Sequence, residues 1–401
     1  MSSAAVEIAR ARPRVVAALA AHLRDLDSAE DAFAEAVEAC LRLEELPESI
    51  PAWLLTVAKR KAVDAIRKRD AQARAADGAA IVSDMADIIQ LPEAIPDERL
   101  RLIFICCHPA LAPEARAALA MKVICGLPVS AIARVFVTSE ATMFQRITRA
   151  KTKIRDAGID FELPPRKAWG ERLGAVLLTL ELAYTVAYQD AGGELDEELS
   201  GEVARLAKMV AELLPNEPEA LGLAALVALA RSREAARVDA EGAMVPLSRQ
   251  DTALWDHAAI EQARKWLDQA AAMGRTGPYQ IMASIQLTHA RRAFDGKVDW
   301  CAILTLYDAL LVLRPSAIVS LNRTLAVAQV EGFGAALAEL EVLPIDRLKS
   351  ARPYHAARAE LLIQSGDVAG ARSALDAALE LDPPRVEKLF LERKLRELAA
   401  L

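Results

Sequence analysis

Gly126-Leu-Pro-Val-Ser-Ala-Ile-Ala-Arg-Val-Phe-Val-Thr-Ser-Glu-Ala-Thr-Met-Phe-Gln-Arg-Ile-Thr-Arg-Ala-Lys-Thr-Lys-Ile-Arg155 is the stretch on which the fold turns. Gly126 and Pro128 open a short helix that runs to Phe136. Val137-Thr138 make a turn, and Ser139 is a natural N-cap for the next helix. Advancing about 100° per residue places Met143, Ile147, Ala150 and Ile154 on one buried stripe. Ala141, Gln145, Thr148, Arg149 and Thr152 point the other way, flanked by Arg146, Lys151, Lys153 and Arg155. The pattern is a helix-turn-helix, whose second helix fits a major groove. Gln and Arg can contact base edges in pairs of hydrogen bonds, while flanking cations hold phosphates. The plainer reading, a chance helical hairpin, stays open on this stretch alone.

A second basic helix lies upstream, over Pro51-Ala-Trp-Leu-Leu-Thr-Val-Ala-Lys-Arg-Lys-Ala-Val-Asp-Ala-Ile-Arg-Lys-Arg69. Leu55, Ala58, Ala62, Val63 and Ile66 fall on one side. Arg60, Lys61, Asp64, Arg67 and Lys68 gather on the other, as either a solvated face or a phosphate-binding one.

These clusters are invisible in the whole-chain balance of 49 basic and 56 acidic residues, a net charge of −7. Lys59–Arg74 holds seven basic and two acidic residues, and Arg146–Arg155 holds five basic and none acidic. Local charge of one sign makes a field that a net sum does not report. The 401 residues suggest two or three domains, and 53% hydrophobic with only 4% aromatic residues favours helix over strand. No apolar run reaches the ~18 residues that span a bilayer, and no signal peptide opens the chain. Five scattered Cys imply no disulfide framework. The expected setting is soluble, reducing and cytoplasmic.

Helical periodicity runs nearly from end to end, so the expected class is all-α. Residues 5–70 read as three helices, broken near Asp25–Ser28 and at Pro47–Pro51. The pattern is lost over 71–96 and resumes from Asp97 to about Gly158. Helices continue after Pro164-Pro165. Near the end Gly332 and Gly366 stand 34 residues apart, followed at the same interval by Leu337 and Ala371. Ala359, Gly366, Ala371, Leu375, Ala378 and Pro383 fit the small and turn positions of a tetratricopeptide repeat. An irregular Ala-rich bundle is the alternative for residues 165–300.

Asp27-Ser-Ala-Glu-Asp-Ala-Phe-Ala-Glu-Ala-Val-Glu38 and Trp53-Leu-Leu-Thr-Val-Ala-Lys-Arg-Lys-Ala-Val-Asp64 resemble sigma region 2. Thr138–Lys151 resembles the recognition helix of sigma region 4. Asp97–Glu114, Ala236–Gly242, Gln250-Asp251 with Trp255, Gly277–Gln280 and Leu321–Arg323 resemble the extracytoplasmic-function sigma factors that carry a tetratricopeptide-containing extension. The resemblance covers nearly the whole chain. It implies sigma region 2 over 1–75, a linker over 76–96, a region 4 helix-turn-helix over 97–160 and a helical-repeat extension over 161–401. It also implies roles. Asp31, Glu35 and Glu38 would dock on core RNA polymerase, at the β′ subunit, with β as a further partner. Arg60, Lys61, Asp64, Arg67 and Lys68 would meet the downstream promoter element. Gln145, Arg146, Thr148, Arg149, Lys151 and Lys153 would meet the upstream one as duplex. Trp53 would be core rather than a base-stacking platform. Two departures stand out: Val137 occupies a turn position that often holds Gly, and Ala183–Tyr188 replaces an Asn-Glu-Gly-Tyr stretch.

No enzyme activity, cofactor or metal is expected. Cys106-Cys107-His108 lacks a second ligand pair, so its thiols read as small apolar groups. Asp239 and Asp251 read as loop-ordering carboxylates. Two rivals remain: an autonomous regulator whose repeat domain senses a ligand or partner, and a tetratricopeptide scaffold with solvated basic helices.

Overall fold

The computed structural model describes residues 3–23, 25–43, 45–77, 102–136, 138–159, 169–189, 196–343 and 351–399. Among them the chain is helical, with one isolated antiparallel bridge between Val238 and Met244. No helix among them is long and apolar enough to cross a membrane. The chain divides into two compact units, Met1–Val186 and Ala187–Leu401.

The first unit opens with a three-helix bundle, α1 (Ser3–Leu23), α2 (Leu26–Leu41) and α3 (Ile50–Asp77). Asp25 starts α2 by accepting from the backbone N–H groups of Asp27 and Ser28, which fills two of the four orphan donors of a helix start. Val15, Val16, Leu19, Phe33, Leu54 and Ala58 are buried in the centre. The helix α3 runs to Asp77, beyond the loss of pattern expected at residue 71. Ala71, Ala73, Ala75 and Ala76 carry no hydrophobic periodicity, but Ala is the best helix former, so propensity extends the helix. The expected linker after Asp77 lies outside the described residues.

A second group follows: α4 (residues 102–106), α5 (Pro113–Val123), α6 (Val129–Val135), α7 (Glu140–Asp156) and α8 (Trp169–Gln189). Leu102, Ile103, Phe104, Ile105 and Cys106 are all buried, so α4 is apolar all round and enclosed. One partner is α8. Trp169 packs on Phe104 with ring centroids 5.1 Å apart, Arg172 donates to the Phe104 carbonyl at 3.3 Å, and Thr179 lies 3.9 Å from the Cys107 sulfur. The boundary at Val186 therefore places most of α8, expected at the head of the extension, with the residues before it.

In the second unit, helices pair with their neighbours in sequence from Asp196–Leu213 to Arg385–Ala399. Successive apolar clusters draw on helices that follow one another in the chain. Gly332 and Gly366 both adopt positive φ, 97° and 84°, but in different places: Gly332 caps the start of the helix Phe333–Val342, whereas Gly366 ends the helix Arg352–Ser365 in the left-handed region. The helices Arg352–Ser365 and Val368–Glu380 pack together with Ala359, Ala371, Leu375 and Ala378 buried. Asp239 accepts from the N–H groups of Glu241 and Ala243, and Asp251 from that of Ala253, so both order loops. Arg393 also donates to Asp239, at 2.8 Å.

Candidate nucleic-acid interface

Ser139 caps α7 by accepting from the Thr142 N–H at 3.2 Å. Met143, Ile147, Ala150 and Ile154 are its buried residues, so the opposite face is presented outward by packing alone. Gln145, Thr148, Arg149 and Lys153 are exposed on it. A groove of about 450 Å³ runs along Thr148, Arg149, Thr152 and Lys153. A second, of about 330 Å³, is lined by Gln145, Arg146 and Arg149 among others. Arg146 is half-buried, its guanidinium 5.7 Å from the centre of the Phe136 ring. Val137 lies outside the described residues; after it, the Thr138 N–H donates to the Ala133 carbonyl at 3.0 Å.

Lys151 is placed differently from the other cations of α7. Its ammonium donates to Asp27 at 3.0 Å and to Glu30, both on α2, and its side chain is 13% exposed. Arg12 of α1 also reaches Glu30, at 2.7 Å, and Arg155 approaches Asp27 at 3.7 Å. Burial pushes the Glu30 carboxyl up, but the hydrogen bond and charge of Lys151, then Arg12, hold it below the usual range. Burial likewise pulls Lys151 down, and Glu30 followed by Asp27 more than reverses this. Lys122 joins the same cluster, and there burial and Arg12 lower its pKa. Sequence periodicity carried a hint of this. Lys151 falls beside the buried stripe of α7 rather than opposite it, and Asp27 and Glu30 share one side of α2 by their i, i+3 spacing.

On α2, Asp31, Glu35 and Glu38 are all exposed. Glu38 pairs with Arg42 along the helix. Glu35 lies 3.5 Å from Lys61 of α3, so the acidic and basic faces meet at that pair. On α3, Arg60, Asp64 and Arg67 are exposed and Lys61 is half-buried, while the side chain of Lys68 lies outside the described residues, as does that of Ile66. Leu54, missed by the sequence pattern, is fully buried, whereas Leu55 and Val63 are half-buried. Trp53 is half-buried at the helix start.

Cys106, Cys107 and Cys125 are buried, and burial pushes the Cys107 thiol up to about 12. Such thiols pack as apolar groups and stay protonated.

Comparison with known proteins matches these elements one by one. Residues 8–72 match the Sigma-70 region 2 family, and residues 101–154 match Sigma-70, region 4. Residues 172–271 match a family of unknown function, DUF6596. The chain belongs to the sigma-70 family, as an extracytoplasmic-function-like sigma factor with a C-terminal extension of the DUF6596 kind. An uncharacterized protein of Rhizobium meliloti (strain 1021) is 40% identical over 404 residues, covering 97% of this chain and 94% of its own length. Proteins of the sigma families are not enzymes, and their two regions imply binding to core RNA polymerase and promoter DNA.

Proposed function

We propose that the chain is an alternative sigma factor of the cytoplasm, which directs core RNA polymerase to a restricted set of promoters. The acidic face of α2, with Asp31, Glu35 and Glu38, docks on the β′ subunit, and opposite charge speeds that encounter. The α3 face with Arg60, Lys61, Asp64, Arg67 and Lys68 meets the downstream element, where the strands open. Gln145, Arg146, Thr148, Arg149 and Lys153 of α7 meet the upstream element as duplex, and Lys151 joins them when it leaves Asp27 and Glu30. The domains run 1–75 for region 2 and 97–160 for region 4. The helical extension, tetratricopeptide-like and open to a protein partner, regulates initiation in cis.

The observation that carries this reading is the outward face of α7. Four buried residues fix the helix, and exposed Gln145, Arg149 and Lys153 are left where a duplex can reach them. In vitro transcription tests it. Core polymerase with the full chain should initiate at discrete sites in a genomic library, and reversing the charges of Asp31, Glu35 and Glu38 together should abolish this. No initiation at any site would sink the proposal. Nanomolar binding of the isolated chain to one operator, without transcription, would favour an autonomous regulator.

A further inference from the structure

Phe144 is 62% exposed on α7, an unusual position for a phenyl ring on an otherwise polar surface. It is not alone. Ala141 lies three residues before it and Thr148 four after, both exposed, so the three form one strip along the helix. The Thr148 hydroxyl donates to the Phe144 carbonyl at 2.9 Å, which leaves the Thr148 methyl as the group free to meet a base edge. The outward face is thus divided lengthwise. Gln145 and Arg149 make a polar half, and Ala141, Phe144 and Thr148 make an apolar half.

A major groove is polar except at one place, the 5-methyl of thymine. Ala, Phe and the Thr methyl are the side chains that contact that methyl, whereas Gln and Arg read purine edges. Exposed Arg149 and Lys153 on the same helix supply the charge complementarity that selects a duplex as the occupant of this face. We propose that Ala141, Phe144 and Thr148 form a methyl-reading strip that makes the upstream element specific for thymine, beside purines read by Gln145 and Arg149. The inference rests on the proposed sigma function and deepens it.

The test is selection of bound duplexes from a randomised library by core polymerase carrying the full chain, wild type or Phe144→Ala. The wild type should enrich an upstream motif containing at least one thymine whose preference Phe144→Ala loses, with the purine positions retained. Replacing that thymine with deoxyuridine, which lacks only the methyl, should weaken wild-type binding about fourfold, the effect of burying one methyl group, and leave Phe144→Ala unaffected. A motif unchanged by Phe144→Ala, or insensitivity to deoxyuridine, overturns the strip while leaving the sigma reading intact. Uniform loss of affinity for core polymerase in Phe144→Ala, without a change of motif, assigns the ring to the polymerase and also overturns it. No enriched motif with the wild type overturns both.

Discussion

The Lys151 ammonium of α7 lies 3.0 Å from the Asp27 carboxylate of α2, and also bonds Glu30 one turn further along. A cation of the helix-turn-helix is thereby spent on region 2. The contact joins the two matched regions within one compact unit, in which Arg12, Lys122 and Arg155 crowd the same two carboxylates.

Removing the ammonium leaves the half-buried Glu30 carboxylate with Arg12 but without its Lys151 hydrogen bond. Lys151→Met should destabilise the chain by about 1–3 kcal/mol at pH 7, measured by urea denaturation. The folded pKa of Glu30 lies below its ordinary 4.5, so its contribution is fully present above that value and is lost as pH falls through the lower folded one. The difference between wild type and Glu30→Gln should shrink below about pH 4.5. A difference that persists unchanged at pH 3 would contradict the pairing.

The helix α8 belongs to the packing of region 4. A chain ending at Pro164 loses the buried Trp169, Leu173, Val176, Leu177 and Leu180. Each such side chain contributes about 1.5–3 kcal/mol of burial, so this truncation should melt far lower or aggregate. A chain ending at Gln189 should retain a cooperative transition. Calorimetry of the two truncations separates these outcomes, and equal stability would show that α8 is dispensable.

Thiol reactivity follows burial. Cys301 is exposed, whereas Cys40, Cys106, Cys107 and Cys125 are buried. In the native chain one thiol should react rapidly with a disulfide reagent at pH 8, and all five after denaturation. Rapid native reaction of Cys301→Ser would show that the buried cysteines open.

Two substitutions on α7 should differ in kind. Lys153→Ala should weaken promoter binding evenly across sequences and lower the salt slope by about 1. Arg149→Ala should cost about 1–3 kcal/mol at its own base pair and relax specificity there. Binding measured across a salt series and a panel of single-base variants distinguishes them. Identical effects of both substitutions would argue against base reading by Arg149.

The sequence alone determined the local order of this protein. The Ser139 cap and the stripe Met143, Ile147, Ala150, Ile154 were legible because a cap and a 3.6-residue period are properties of neighbouring residues. The exposed carboxylates of α2, the exposed Arg60 and Arg67 of α3, and the turns at Gly332 and Gly366 were legible for the same reason. The tertiary structure decided which surfaces were already taken. The partners of Lys151 stand more than a hundred residues earlier in the chain, at Asp27 and Glu30, and no period links them. The packing of α8 on Phe104 and Cys107 was equally hidden, because an all-apolar α4 names no partner for itself. A sequence fixes which face of a helix turns inward, but what covers that face depends on distant segments that meet only when the chain has folded.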